Sequence, residues 1–185
     1  MSGFAPLRDL LIHTLIETTR VEHGRHFVRL KETGADARLR QVDIFDLPED
    51  SILIKLDAVE QPKSLFQGKK GERKRCDYVL FTQLNAQPLL IFFELKSRAM
   101  EKKEIAAQFK GACCLVEYCD AALNHFHGQS GLLRQCEKRF VVFYKPSIAK
   151  QRTRPTLPRA KANSPDSPLR YPSPHSPSLK SLVRL

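Results

Sequence analysis

The chain has 185 residues, with 31 Lys and Arg against 20 Asp and Glu, and 42% of it is apolar. That suits one ordinary domain with a buried core and an appendage, and argues against a fully disordered chain. The longest apolar runs, Leu89–Phe93 and Phe140–Tyr144, fall far short of the ~20 residues of a membrane span, and the opening MSGFAPLRDLLIHTLIE lacks a signal-peptide layout.

Residues Pro6–Arg20 predict a first helix, because Leu7, Leu10, Leu11 and Leu15 recur at three- and four-residue spacing. Val21–Pro48 is mixed: turns at His23–His26 and Thr33–Asp36 flank a short strand over Phe27–Leu30. Ser51–Val59 alternates as a strand. A basic loop, Gln61–Arg75, follows and carries Lys63, Lys69, Lys70, Arg73, Lys74 and Arg75. Cys76–Phe81 is a second strand of this core, and Thr82–Pro88 turns the chain. Leu89–Lys96 is a third strand, apolar on both faces until its end and therefore central. Glu101–Phe126 is the clearest helix, with one stripe of Ile105, Phe109, Ala112, Val116, Cys119 and Leu123. Leu132–Lys138 adds a turn, and Lys138–Lys145 is a fourth strand.

Beyond it the composition changes. From Lys145 to Leu185 there are nine Lys or Arg, one acid (Asp166) and eight of the 12 prolines. The net charge of +11 thus sits mainly in this stretch. Residues 149–185 are expected to be an extended or disordered basic tail, and residues 1–148 the folded domain. The expected fold is α/β: a mixed central sheet of about four strands in the order α-β-β-β-α-β.

The five cysteines, Cys76, Cys113, Cys114, Cys119 and Cys136, are odd in number and form no CxxC. Free thiols in a reducing cytoplasm follow. A zinc site from Cys119, His125, His127 and Cys136 matches no ligand spacing.

Three charged residues interrupt otherwise apolar strands: Asp77, Glu94 and Lys96. Glu94 and Lys96 are two apart and share a face. If the two strands form a hairpin, Asp77 at the start of one lies beside Glu94 at the end of the other. Charges there are costly unless they serve each other, as a structural ion pair, or a ligand. Two carboxylates and a lysine suit Mg²⁺ or Mn²⁺ and phosphodiester hydrolysis.

The runs Cys76–Phe81 and Leu90–Lys96, an Asp opening one strand and Glu-x-Lys ending the next, resemble the signature of the PD-(D/E)XK nucleases. That superfamily includes restriction endonucleases and Holliday-junction resolvases. The resemblance covers roughly Ser51–Lys145 and implies a restriction-endonuclease-like core and Mg²⁺-dependent cleavage of nucleic acid. It implies Asp77, Glu94 and the Leu95 carbonyl as metal ligands and Lys96 as the catalytic lysine. One departure is Cys76, where the signature has Pro. Several branches carry a glutamine on the following helix, which points to Gln108 as support for Lys96 or the attacking water. An additional acid often completes such a site; Glu17, Glu22 and Asp57 all qualify by type, and each also reads as a solvated charge.

Lys69, Lys70, Arg73, Lys74 and Arg75 run into Asp77 and, with the tail, give an electrostatic footprint for a phosphate backbone. No base-reading motif accompanies them. The expectation is therefore a cytoplasmic, metal-dependent endonuclease acting on nucleic acid, DNA before RNA, with no membrane partner. The resemblance suggests restriction, antiviral defence or recombination as its setting, as a homodimer or in a larger complex. The alternative is a catalytically silent nucleic-acid-binding or assembly subunit on the same fold.

Overall fold

A computed structural model describes residues 3–32, 39, 41–60, 65–97, 101–145, 162–172 and 176–183. The turn expected at Thr33–Asp36, Lys63 and residues 149–161 lie outside the described residues. The chain folds as α/β, with a helix α1 (Ala5–Leu10) and a 3₁₀ turn (His13–Leu15) leading into β1 (Ile16–Glu17). There follow β2 (Arg20–Glu22), β3 (Arg25–Lys31), β4 (Gln41–Phe45), β5 (Ile52–Lys55), β6 (Tyr78–Leu84) and β7 (Gln87–Lys96). The long helix α2 (Lys102–His127) then precedes β8 (Glu137–Tyr144), β9 (Leu169–Pro172) and α3 (Leu179–Val183).

The main sheet is mixed and six-stranded, in the order β1-β5-β6-β7-β8-β9. The expected four strands are its centre. β6 and β7 form a hairpin whose two-residue turn, Asn85 and Ala86, has both residues at positive φ. That mirror-image turn matches strand twist and fixes the register, Tyr78 against Phe93. β7 and β8 are parallel, and α2 is the crossover between them. α2 ends at Gly128, whose φ of +66° is the left-handed cap that glycine accepts without strain.

The core lies on both faces of this sheet. On one, α2 buries Ile105, Phe109, Ala112, Val116 and Leu123 against Val79, Phe81, Leu90 and Phe92. Phe92 stacks on Phe140, and Phe109 meets the same ring edge-on. On the other face lies a small antiparallel sheet, β2-β3-β4, which presents Val28, Leu30, Val42 and Ile44 to Tyr78, Leu80, Ile91 and Phe93.

Three expectations are corrected. The first helix stops at Leu10, not Arg20. The stretch Ile12, Thr14, Ile16, Thr18 and Thr19 is rich in β-branched residues, which weaken a helix, and Ile16 and Glu17 pair with β5 instead. Leu7, Leu10, Leu11 and Leu15 still pack on the α2 side of the core. The second correction is β4, whose Val42 and Ile44 alternate with Asp43 inside the segment read as mixed.

The third concerns residues 149–185. They are not wholly a tail, because β9 pairs in parallel with β8 and Leu169, Leu179 and Leu182 are fully buried. Tyr171 meets Phe143 edge-on. The domain therefore extends at least to residue 183. Pro168 precedes β9 and Pro172 ends it opposite Tyr144, so the prolines bound the strand without interrupting Leu169–Tyr171. Among the described residues, no helix is long and apolar enough to cross a membrane.

Candidate active site

The register that pairs Tyr78 with Phe93 sets Asp77 opposite Glu94. Alternation along β7 places Glu94 and Lys96 on the face of Leu90 and Phe92, beneath α2. Asp77 extends the Val79–Phe81 face of β6 in the same way. Gln108 projects from the first turns of α2 near enough to Glu94 to affect its proton affinity. The four sequence-predicted residues Asp77, Glu94, Lys96 and Gln108 are thus gathered at one end of one sheet face.

Glu94 is fully buried. Its Oε1 forms an ion pair with the Lys96 ammonium. Neither Glu94 oxygen is in a well-shaped hydrogen bond, and the buried Gln108 Oε1 has no hydrogen-bond partner either. Native interiors rarely leave such atoms unmet, so each one asks for a missing ion, water or ligand. Asp77 is mostly buried, and its Oδ2 accepts a hydrogen bond from the Leu95 N–H at 2.7 Å. The N–H and C=O of one strand residue point to the same edge. The Leu95 carbonyl therefore faces the edge where β6 has ended, beside Asp77. The Lys96 carbonyl faces the other way and accepts from Lys145 N–H at 3.4 Å.

Burial pushes the Glu94 carboxyl up to about 8; nearby Asp77 adds to the shift, while the Lys96 ammonium and the Gln108 amide pull it back. Burial likewise raises Asp77 to about 6; the Leu95 N–H and Lys96 oppose the shift, and Asp57 and Glu32 reinforce it. The pair therefore retains a proton near neutral pH unless another positive charge enters.

The donor set matches what a hard divalent cation takes: carboxylate oxygens, a backbone carbonyl and water. Asp77 Oδ1, Glu94 Oε2 and the Leu95 carbonyl are the candidates. No group of three or more His, Cys, Asp or Glu converges among the described residues, but Mg²⁺ commonly takes only one or two protein carboxylates.

Of the three acids weighed as completing residues, only Asp57 lies at the cluster. Its N–H approaches the Asp77 carbonyl, and it is an electrostatic neighbour of the Asp77 carboxyl. Glu17 pairs opposite Leu53 and so faces away from α2. Glu22 is exposed on the small sheet.

The sequence reading missed Glu32, just past β3. Its carboxylate accepts hydrogen bonds from the Ser97 hydroxyl, the Ser97 N–H at 3.3 Å and the Leu39 N–H at 3.2 Å. It thereby pins the chain immediately after Lys96. No spacing or motif marks it; only the packing of the small sheet brings it there.

The basic loop is partly structural. Lys74 pairs with Glu104 at 3.1 Å. Arg73 donates to the Phe66 carbonyl, and Arg75 to the carbonyls of Glu72 and Lys74. Lys69 and Lys70 make no ion pair among the described residues. No protein-family model, curated protein or solved structure matches this chain.

Proposed function

We propose that this protein is a metal-dependent nuclease of the PD-(D/E)XK type, hydrolysing phosphodiester bonds in nucleic acid, with DNA the expected substrate. The carrying observation is the convergence of Asp77, Glu94, Lys96 and Gln108 at one sheet end, with Glu94 Oε1 paired to Lys96 and the buried Glu94 Oε2 and Gln108 Oε1 without a hydrogen-bond partner. The consecutive elements β5-β6-β7-α2-β8, with α1 ahead of them and β1 to β4 between, support a restriction-endonuclease-like core.

Asp77, Glu94 and the Leu95 carbonyl would hold Mg²⁺ or Mn²⁺. Such an ion, when bound, supplies an acidified water and neutralises charge on the phosphate. Lys96 Nζ, paired with Glu94, would stabilise charge developing on the phosphate or orient the water. Gln108, on α2, would orient Glu94 through its side-chain amide. The apolar residues of α2 and β7 keep bulk water from the inner side of the cluster, which strengthens each of these interactions.

The second reading is a nucleic-acid-binding subunit without catalysis. It is favoured by the direct Glu94–Lys96 pairing, which gives the Glu94 carboxylate a partner within the chain. The deciding experiment incubates plasmid, linear, branched and single-stranded substrates with Mg²⁺, Mn²⁺ or chelator. Cleavage in metal and none in chelator is expected. Binding without cleavage under every condition would select the second reading.

A further inference from the structure

A cleft that the proposed chemistry leaves unused lies between the loop 65–75 and α2. Its volume is about 450 Å³. Ala106, Ala107, Gly111 and Cys114 line it from the helix, Phe66 and Lys70 from the loop. Gly71 and Glu72 of the loop, Lys103 and Lys110 of the helix, and Asp166 from the segment before β9 complete the lining.

The cleft is built rather than incidental. A Cβ on Gly111 would lie 2.0 Å from the Lys74 carbonyl oxygen, so the loop is pressed onto the helix where only glycine fits. Arg73 Nε holds the Phe66 carbonyl at 2.7 Å. Lys110 pairs with Asp166 at 2.9 Å and ties in the C-terminal segment. Glu72 is engaged by the Lys70 N–H at 2.9 Å. Lys70 and Lys103 are left as cations with no ion pair among the described residues. Phe66 stays 42% exposed beside them, an apolar ring held in water next to positive charge.

Small side chains, one aromatic ring and two unpaired ammonium groups are complementary to a flat base on a phosphate backbone. No amide or hydroxyl side chain lines the cleft to choose among bases. Stacking on an aromatic ring beside cations is how proteins hold single strands without sequence preference. A base can enter only when it is unstacked from a duplex.

We propose that this cleft is a subsite for one unstacked base of single-stranded nucleic acid, with the adjoining backbone held by Lys70 and Lys103. Ala107 in the cleft and Gln108 at the catalytic cluster are successive residues of α2, so one helix serves both. The proposal rests on the nuclease reading for its meaning in catalysis and narrows the substrate to single-stranded or frayed ends.

The test is binding in chelator, which separates it from cleavage. Fluorescence anisotropy would compare a labelled oligothymidylate of about 16 nucleotides with a duplex of equal length. Phe66→Ala should weaken the single strand by about five- to 150-fold and the duplex by less than about twofold. Lys103→Ala should lower the salt slope on the single strand by about 0.7. Cys114 supplies an independent signal, being the exposed cysteine among five. Its alkylation, read by mass spectrometry, should be slowed by the oligonucleotide in the wild type and not in Phe66→Ala. Unchanged single-strand affinity in Phe66→Ala, an equal loss on duplex, or alkylation of Cys114 indifferent to the oligonucleotide would each overturn the subsite. Single-strand binding with this pattern in a protein that cleaves nothing would leave the subsite standing and remove the nuclease reading alone.

Discussion

Successive residues of β7 meet two different environments. Leu89, Ile91, Phe93 and Leu95 face the small sheet, β9 and α3, a side that buries no charge among the described residues and whose buried Thr82, opposite Leu89, is satisfied by the Ser51 hydroxyl. Leu90 and Phe92 face α2 in an equally dry interior, but the same row then continues into Glu94 and Lys96. An ion pair buried this deeply seldom stabilises more than well-packed apolar side chains of the same volume would. The α2 face therefore gives up stability at one end to hold a buried carboxylate–ammonium pair, and the opposite face supplies the compensating burial. Surface pairs behave in the opposite sense. Asp46, held by Arg25 through two hydrogen bonds, has its carboxyl lowered, whereas Glu94 beside Lys96 is raised. The first pair favours its charged form, and the second is strained by it.

Breaking the apolar face should have the largest effect. Deleting residues 162–185 removes Leu169, Leu179 and Leu182, all with no exposed surface. At about 1.5–3 kcal/mol for each buried leucine, the loss approaches the whole stability of a small domain. The truncated chain should fail to fold or melt far below the full chain by circular dichroism. A truncation that melts normally would return this segment to the status of a tail.

That segment also shows where a sequence stops being legible. α2 and β5 to β8 announce themselves by strong periodicity, and the tight Asn85–Ala86 turn makes the Asp77–Glu94 register follow from the hairpin. β9 has only Leu169 and Tyr171 in alternation, set among prolines, and becomes a strand because β8 offers an open edge. Strand formation there lives in the partner rather than in local preference. Leu179 and Leu182 are three apart and do carry a helical signal, too short to outweigh the surrounding composition. Glu32 has no signal at all, since it reaches Ser97 across 65 positions of chain.

Breaking the charged end should leave the fold and remove the chemistry. Glu94→Gln keeps the shape and removes the charge, so cleavage should fall by about a thousandfold or more. Its melting temperature in chelator should be equal to or above that of the wild type, because the wild-type carboxyl must either take up a proton or stay charged in the interior and glutamine does neither. Lys96→Ala should match the loss of cleavage. A purely structural ion pair makes a different forecast: Lys96→Ala would cost about 3–5 kcal/mol by stranding Glu94, with no activity to lose. Melting curves and cleavage on the same two variants separate these accounts.

The pH dependence sharpens the same contrast. Glu94 titrates near 8 and Asp77 near 6 in the folded protein, against ordinary values of 4.5 and 3.8. Across that interval the folded state binds more protons than the unfolded one, so stability falls as pH rises. The contribution is fully favourable below about pH 4 and is lost by about pH 8. Denaturant titrations in chelator should show this slope in the wild type and a flatter one in Glu94→Gln. Identical slopes would mean that Glu94 is ionised throughout and that Lys96 fully compensates its burial.

The smallest effect tests how the loop is seated against the helix that covers the charged face. Alanine in a helix interior normally stabilises relative to glycine by about 0.5–1 kcal/mol. On that ground Gly111→Ala in the middle of α2 should help. The Lys74 carbonyl oxygen, 2.0 Å from where the new Cβ would sit, argues the other way. Backbone cannot rotate aside as a side chain can, so the loop must lift. Overpacking of this kind costs about 1–3 kcal/mol, more than the propensity returns, and the net change should be destabilising. The lifted segment leads through Arg75 and Cys76 into Asp77, so the variant should also lose cleavage in proportion to the shift. A Gly111→Ala protein that melts higher than the wild type would show that the loop does not rest on α2 at this point.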